Sequence, residues 1–200
     1  LNLLVAGIAF ITYKKSAFFN LKLATPFIIA SIPAAFFGGY VEVNERLYDT
    51  LLALTLMIAA WKLHTTKRND STEVFTNIPP LWVALIVGAL IGFLSGIIGV
   101  GGGIFLSPLI LLFGWSDAKT TAGVAALFIW VNSLAGLGGA ALSNQLVLDF
   151  EVLLPFAGAV LVGGFVGSRY GAEIAPQQMV RKLLVIVLIA AAARRIVELF

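Results

Sequence analysis

The chain has 200 residues, 60% of them hydrophobic and only 12% charged, with a formal net charge of +3 and no cysteine. A soluble domain carries far more charge, so most of this chain belongs in lipid. Disulfides, thiolate metal sites and cysteine nucleophiles are excluded, and the scattered basic residues line no face that would hold nucleic acid.

A bilayer core of about 30 Å takes about 20 helical residues. Eight apolar runs bounded by charge meet or approach that length: 1–13, 21–41, 47–63, 81–100, 104–113, 121–142, 152–170 and 179–199. The first has neither a basic leader nor a small-residue cleavage site, so it reads as a helix truncated at its amino end, with more chain expected before Leu1. Residues 64–80 form a polar connector, expected on the cytoplasmic side, in which His64 is solvated and not catalytic. Thr120 and Thr121 follow Lys119 and read as caps of the sixth run. The expected fold is all-α, a polytopic helical membrane protein that divides into 1–63, the later part of a first transmembrane repeat, the connector 64–80, and a second repeat, 81–200.

Loop charges orient the runs, because cytoplasmic loops are rich in Lys and Arg. If the short run 104–113 crosses the membrane, one side receives Lys14, Lys15, Lys22, Lys62, Lys67, Arg68, Lys119, Arg169, Arg181 and Lys182, and the other Arg46, Arg194 and Arg195, ten against three. If it dips in and returns, the division is eight against five. The crossing arrangement is therefore expected.

The two ends of the chain are alike. Asn2 falls on Asn132, Pro26 on Pro155, and the small residues Ala30, Ala34 and Gly38 on Ala159, Gly163 and Gly167. Equivalent loops carry opposite charge: Lys14 and Lys15 after the first run answer Asp149 and Glu151, while Glu42, Glu45 and Asp49 answer a loop region bracketed by Arg169, Arg181 and Lys182. Such an exchange is what two inverted-topology repeats require. The pair Arg194 and Arg195 runs against it. Single cysteines replacing Lys15 and Gln145 are expected to react with an impermeant thiol reagent from opposite sides of the membrane. Labelling of both from one side would remove the inverted topology.

Where the fourth run gives way to the fifth stand Gly99, Gly101, Gly102 and Gly103. Each glycine costs a helix about 1 kcal/mol relative to alanine, so a glycine-broken helix is expected there. Unwound backbone in lipid survives only inside protein or along a wet cavity, and a helix restarting near Gly103 would offer free N–H groups and a positive dipole end to an anion. The residues expected to bind substrate are these four glycines with Ser95, Ser107, Asn132, Ser133 and Asn2, polar groups within or beside apolar runs. Asn132 reads equally as an interhelical hydrogen bond. Gly88, Gly92 and Gly96, like Gly163, Gly167 and Gly171, recur every four residues and read as helix-packing faces. No metal site or cofactor is expected. No Asp, Glu, His, Lys or Arg lies deep in any run, so an integral-membrane enzyme lacks its catalytic groups.

The stretches GFLSGIIGVGGGIFLSPLILLFG and TAGVAALFIWVNSLAGLGG, with the glycine cluster, Pro108 and Asn132, resemble the sulfite exporter TauE/SafE family. The resemblance covers the second repeat and the later part of the first. It implies a multi-pass protein of the bacterial inner membrane, built from two related halves, that moves sulfite, organosulfonates and related small anions. The chain departs from the family pattern in lacking the first half's own glycine motif, which is expected before Leu1. The partners implied are a small anionic substrate and the lipid bilayer; a homo-oligomer stays open. A passive anion channel or a non-transporting membrane scaffold are the alternatives, and a scaffold would tolerate Gly102→Leu where a transporter would lose flux.

Overall fold

The computed structural model describes residues 1–41, 78–99, 101–143 and 150–198. Among these the chain forms seven α-helices and one π-helical turn, without strands. The expected run 47–63 and most of the connector, 64–77, lie outside the described residues.

Helix α1, Asn2–Lys15, ends on Lys14 and Lys15, whose charges suit the negative end of the helix dipole. Helix α2, Leu21–Tyr40, starts at Asn20, whose side chain accepts the Leu23 N–H. After the undescribed segment come α3, Leu81–Ile98, and α4, Gly103–Phe113. Helix α5, Ala118–Leu142, begins earlier than expected. Its cap is Asp117, whose carboxylate accepts the Thr120 N–H at 2.9 Å. Thr120 and Thr121 are thus inside the helix and cap nothing; a carboxylate beside the positive helix end is the stronger acceptor. Helix α6, Phe150–Arg169, passes into the π-helical turn Tyr170–Ile174, and α7, Gln177–Glu198, follows.

Among the described residues four stretches are long and apolar enough to cross a membrane: Leu21–Tyr40, Leu81–Ile98, Ala118–Leu142 and Leu153–Ile174. The last expected run does form a helix, α7, but it is not among these. Arg181 and Lys182 near one end and Arg194 and Arg195 near the other leave a charge-free stretch of only 183–193.

The core lies between α2, α3, α4 and α5, with Phe27, Leu106, Ile110 and Phe128 at its centre. A Cβ at Gly88, Gly92 or Gly96 would run into the backbone of Phe27, Ser31 or Ala35, so the glycine face of α3 lies directly on α2. Gly39 lets α2 approach α5 at Gly136 in the same way. These contacts make α2, α3 and α5 parallel, while Gly7 beside Trp130 and Gly123 beside Phe18 make α1 antiparallel to α5. The second glycine face behaves differently. No described residue lies within 4 Å of a Cβ at Gly163 or Gly167, whereas Gly171 meets the Tyr13 hydroxyl. Spacing marks a small-residue face in both helices, but only α3 has a described helix against it.

Lys119 donates to the Ala172 carbonyl and its N–H to Gln177 Oε1, so the start of α5 meets the π-turn and the start of α7. Lys14, Lys15, Lys119, Arg169, Arg181 and Lys182 consequently gather at one end of the bundle. That is the sorting a crossing of 104–113 requires.

Candidate functional site

Helix α3 stops where Gly99 enters the left-handed region, φ 72°, and its N–H returns to the Ser95 carbonyl at 2.8 Å. Gly101 and Gly102 follow with φ of 78° and 73°. Side chains adopt such backbone only at a cost of about 1–2 kcal/mol per residue, so these glycines suit a turn that other residues would strain. Val100 lies outside the described residues. Gly102 caps α4, its carbonyl accepting from Phe105 and Leu106. The N–H groups of Gly103 and Ile104 precede the helical ladder and have no backbone acceptor among the described residues.

Space is the second reason for glycine. A Cβ at Gly101 would lie 2.5 Å from Ile129 Cγ2 and 2.8 Å from Ser133 Oγ. At Gly102 it would meet Ile91, Phe128 and Ser95 at 2.9–3.0 Å, and at Gly103 it would overlap Ile129. The turn is therefore pressed against α3 on one side and α5 on the other. At Gly99 a Cβ would meet nothing within 4 Å among the described residues.

The expected polar residues divide in two. Ser95, 1% exposed, and Ser133, 8% exposed, stand on the two helices that grip the glycine turn, and neither hydroxyl has a hydrogen-bond partner among the described residues. Asn132, 1% exposed, donates from Nδ2 to the Phe128 carbonyl at 2.8 Å, while its Oδ1 has no partner among the described residues. Burying such a group unpaired costs about 1–3 kcal/mol, so two such hydroxyls against one turn, with Asn132 beside one of them in sequence, need an explanation. Ser107 and Asn2 are already engaged. Ser107 donates to the Gly103 carbonyl at 2.8 Å, and Asn2 donates to the Gly99 carbonyl at 3.2 Å. Both still border a cavity of about 390 Å³ between α1, α4 and α5. Asn2 and Asn132, paired in the repeat comparison, thus serve different carbonyls.

Sequence reasoning did not single out Ile129 and Phe128, which wall the turn, and it read Thr121, whose buried Oγ1 also has no partner among the described residues, as a helix cap. Thr121 had a signal, a hydroxyl in an apolar run; Ile129 and Phe128 had none, being ordinary in a hydrophobic helix.

A family model described as Sulfite exporter TauE/SafE matches residues 1–195. Among curated relatives, the "Probable membrane transporter protein y4hK" of Sinorhizobium fredii is 38% identical over 174 residues, covering 85% of this chain and 70% of that protein. The "Probable membrane transporter protein YunE" of Bacillus subtilis is 25% identical over 201 residues, covering 92% and 70%. No solved structure gives a significant match.

Proposed function

The chain belongs to the sulfite exporter TauE/SafE family of membrane transporters, and from that premise we propose that it carries small sulfur-containing or organic anions, such as sulfite or organosulfonates, as a secondary transporter of the bacterial inner membrane. The anion binds at the glycine turn between the end of α3 and the start of α4. The observation that carries this reading is the pair of buried hydroxyls against the turn, Ser95 Oγ and Ser133 Oγ, which have no partner among the described residues, as has Asn132 Oδ1 on the residue before Ser133.

Two hydroxyls and the open N–H groups of Gly103 and Ile104 are donors, and an anion is the ligand that satisfies donors without a buried Lys or Arg. Asn132 Oδ1 is an acceptor, suited to the proton of a hydrogen-sulfite ion or to a bridging water. Asn132 and Ser133 lie within one turn of Trp130, the midpoint of α5, which supports a site near the membrane midplane.

Helix pairing supports the inverted repeat. Exchanging α1 with α5 and α2 with α6 turns the contact between α2 and α5 into that between α6 and α1, and returns the α1–α5 contact to itself.

Flux into proteoliposomes of sulfite, thiosulfate, taurine and sulfoacetate tests the proposal. Saturable movement of at least one is expected. Ser95→Ala and Ser133→Ala should each raise its half-saturating concentration about tenfold or more, since a hydrogen bond to a charged group is worth about 1.5–3 kcal/mol. Flux that rises linearly with concentration would mean a channel; no flux of any of the four from folded protein would remove the substrate class.

A further inference from the structure

Lys119 is 8% exposed although it carries a charge. Its ammonium donates to the Ala172 carbonyl in the π-turn at 2.9 Å and stands 4.8 Å from the centre of the Phe18 ring. Among the described residues it forms no ion pair. Taking an ammonium out of water costs several kcal/mol, and one carbonyl with one aromatic face offsets only part of that. A buried cation held this loosely is better explained by what it can do than by what it stabilises.

Its position on α5 gives the clue. Lys119, Ala122, Ala126, Ile129 and Ser133 recur at intervals of three and four and share one face of the helix. Ala122, Ala126 and Ile129 line the cavity of about 390 Å³, and Asn2, Ala9 and Tyr13, which recur along α1, form its other wall. One end of this slot is the glycine turn, where Asn2 bonds the Gly99 carbonyl and Ile129 lies against Gly101 and Gly103. The other end is closed by Tyr13, whose hydroxyl abuts Gly171 in the π-turn that also supplies the Ala172 carbonyl to Lys119. Small side chains between two polar ends leave a groove along α1, α4 and α5, open on one side among the described residues, with room for a small anion.

We propose that this slot is the passage between the glycine turn and the basic end of the bundle, and that Lys119 is the cation that draws the anion into its mouth. The proposal deepens the anion-transport reading and rests on it. The ammonium gives up the Ala172 carbonyl for the entering anion, and the π-turn, a one-residue irregularity in helical hydrogen bonding, is the backbone that yields. Tyr13 moves with it, because its hydroxyl faces the same turn. Ile129 is then the second barrier, between the slot and the site.

The chain has no cysteine, so a single Ala122→Cys places a unique thiol in the slot. Sealed vesicles holding this variant are treated with anionic sulfonatoethyl methanethiosulfonate or cationic trimethylammonium-ethyl methanethiosulfonate, from the side on which a cysteine at position 15 reacts. Each rate is divided by the reagent's rate with a free thiol. The anionic reagent is expected to be favoured by about tenfold, in the range of electrostatic steering into a charged mouth. Adding Lys119→Gln should erase the preference, and Lys119→Arg should keep it. Failure of both reagents to modify the thiol, or a preference unchanged by Lys119→Gln, would overturn the proposal. The readout needs no flux, so it separates the two ideas. Anion-selective labelling in a protein that moves none of the four test anions would uphold the slot and remove the transport reading, and flux without labelling would do the reverse.

Discussion

Gly102→Leu is expected to abolish saturable anion flux, a fall of at least about a hundredfold, while Gly99→Ala keeps flux within a few-fold of the unaltered protein. Both glycines have left-handed backbone, with φ of 73° and 72°, so both substitutions carry a strain of about 1–2 kcal/mol. Only at Gly102 does the side chain also collide. Its Cβ meets Ile91, Phe128 and Ser95, and the rest of leucine adds overpacking of about 1–3 kcal/mol. Together these come to about 2–5 kcal/mol against the roughly 2.7 kcal/mol that a hundredfold change requires, and the turn relieves them by moving away from Ser95 and Phe128, which dismantles the site. Flux in proteoliposomes, with the folded fraction measured alongside, checks the pair. Equal loss from both substitutions would show that backbone conformation alone matters and that the crowding of Ser95 against the turn does not.

The second large effect lies in the helix seam. Gly96→Leu should leave little folded protein, because a Cβ there already overlaps the backbone of Ala35 and comes within 2.8 Å of the Gly39 N–H. Backbone cannot rotate out of the way as a side chain can, so α2 and α3 must separate along their length. The overpacking term of about 1–3 kcal/mol is then a lower bound, and a fall in Tm of about 10 °C or more is expected. Gly167→Ala is the counter-case. It has the same four-residue spacing with Gly163 and Gly171 but no described neighbour within 4 Å, and alanine is a better helix former by about 1 kcal/mol. Its Tm should be unchanged or slightly raised. Thermal unfolding followed by size exclusion in detergent reads both variants.

That contrast shows what a sequence of this kind discloses. Run length and hydropathy were sufficient for α2, α3, α5 and α6, because a bilayer allows the backbone few arrangements besides helix. Glycine spacing identified a packing face on α3, and the structure places α2 on it. The same spacing on α6 carries no such partner among the described residues, because spacing records a face and says nothing of what covers it. At the end of α7 the apolar run was legible as a helix, but Arg181, Lys182, Arg194 and Arg195 shorten its charge-free part below the length of the other spans.

The site was legible to the extent that it breaks rules. Clustered glycines in an apolar run, and Ser95, Asn132 and Ser133 where hydrophobic residues are the norm, are costly unless something answers them. Ser107 and Asn2 carried the same signal, yet the structure gives their donors to the Gly103 and Gly99 carbonyls. Residue type cannot distinguish a group that serves the backbone from one left open. Lys119 was hidden for the opposite reason: a lysine at the end of an apolar run reads as a loop charge, and only the π-turn folded over it reveals its burial.

Selenite is close to sulfite in shape and charge, scatters anomalously, and meets no thiol in this chain to reduce it. Anomalous diffraction from crystals soaked in selenite therefore locates the anion directly. A peak within hydrogen-bonding distance of Ser95 Oγ, Ser133 Oγ and the Gly103 and Ile104 N–H groups is the predicted result. A peak elsewhere in the bundle, or none at these groups at concentrations where selenite competes with sulfite for transport, would contradict an anion site at the glycine turn.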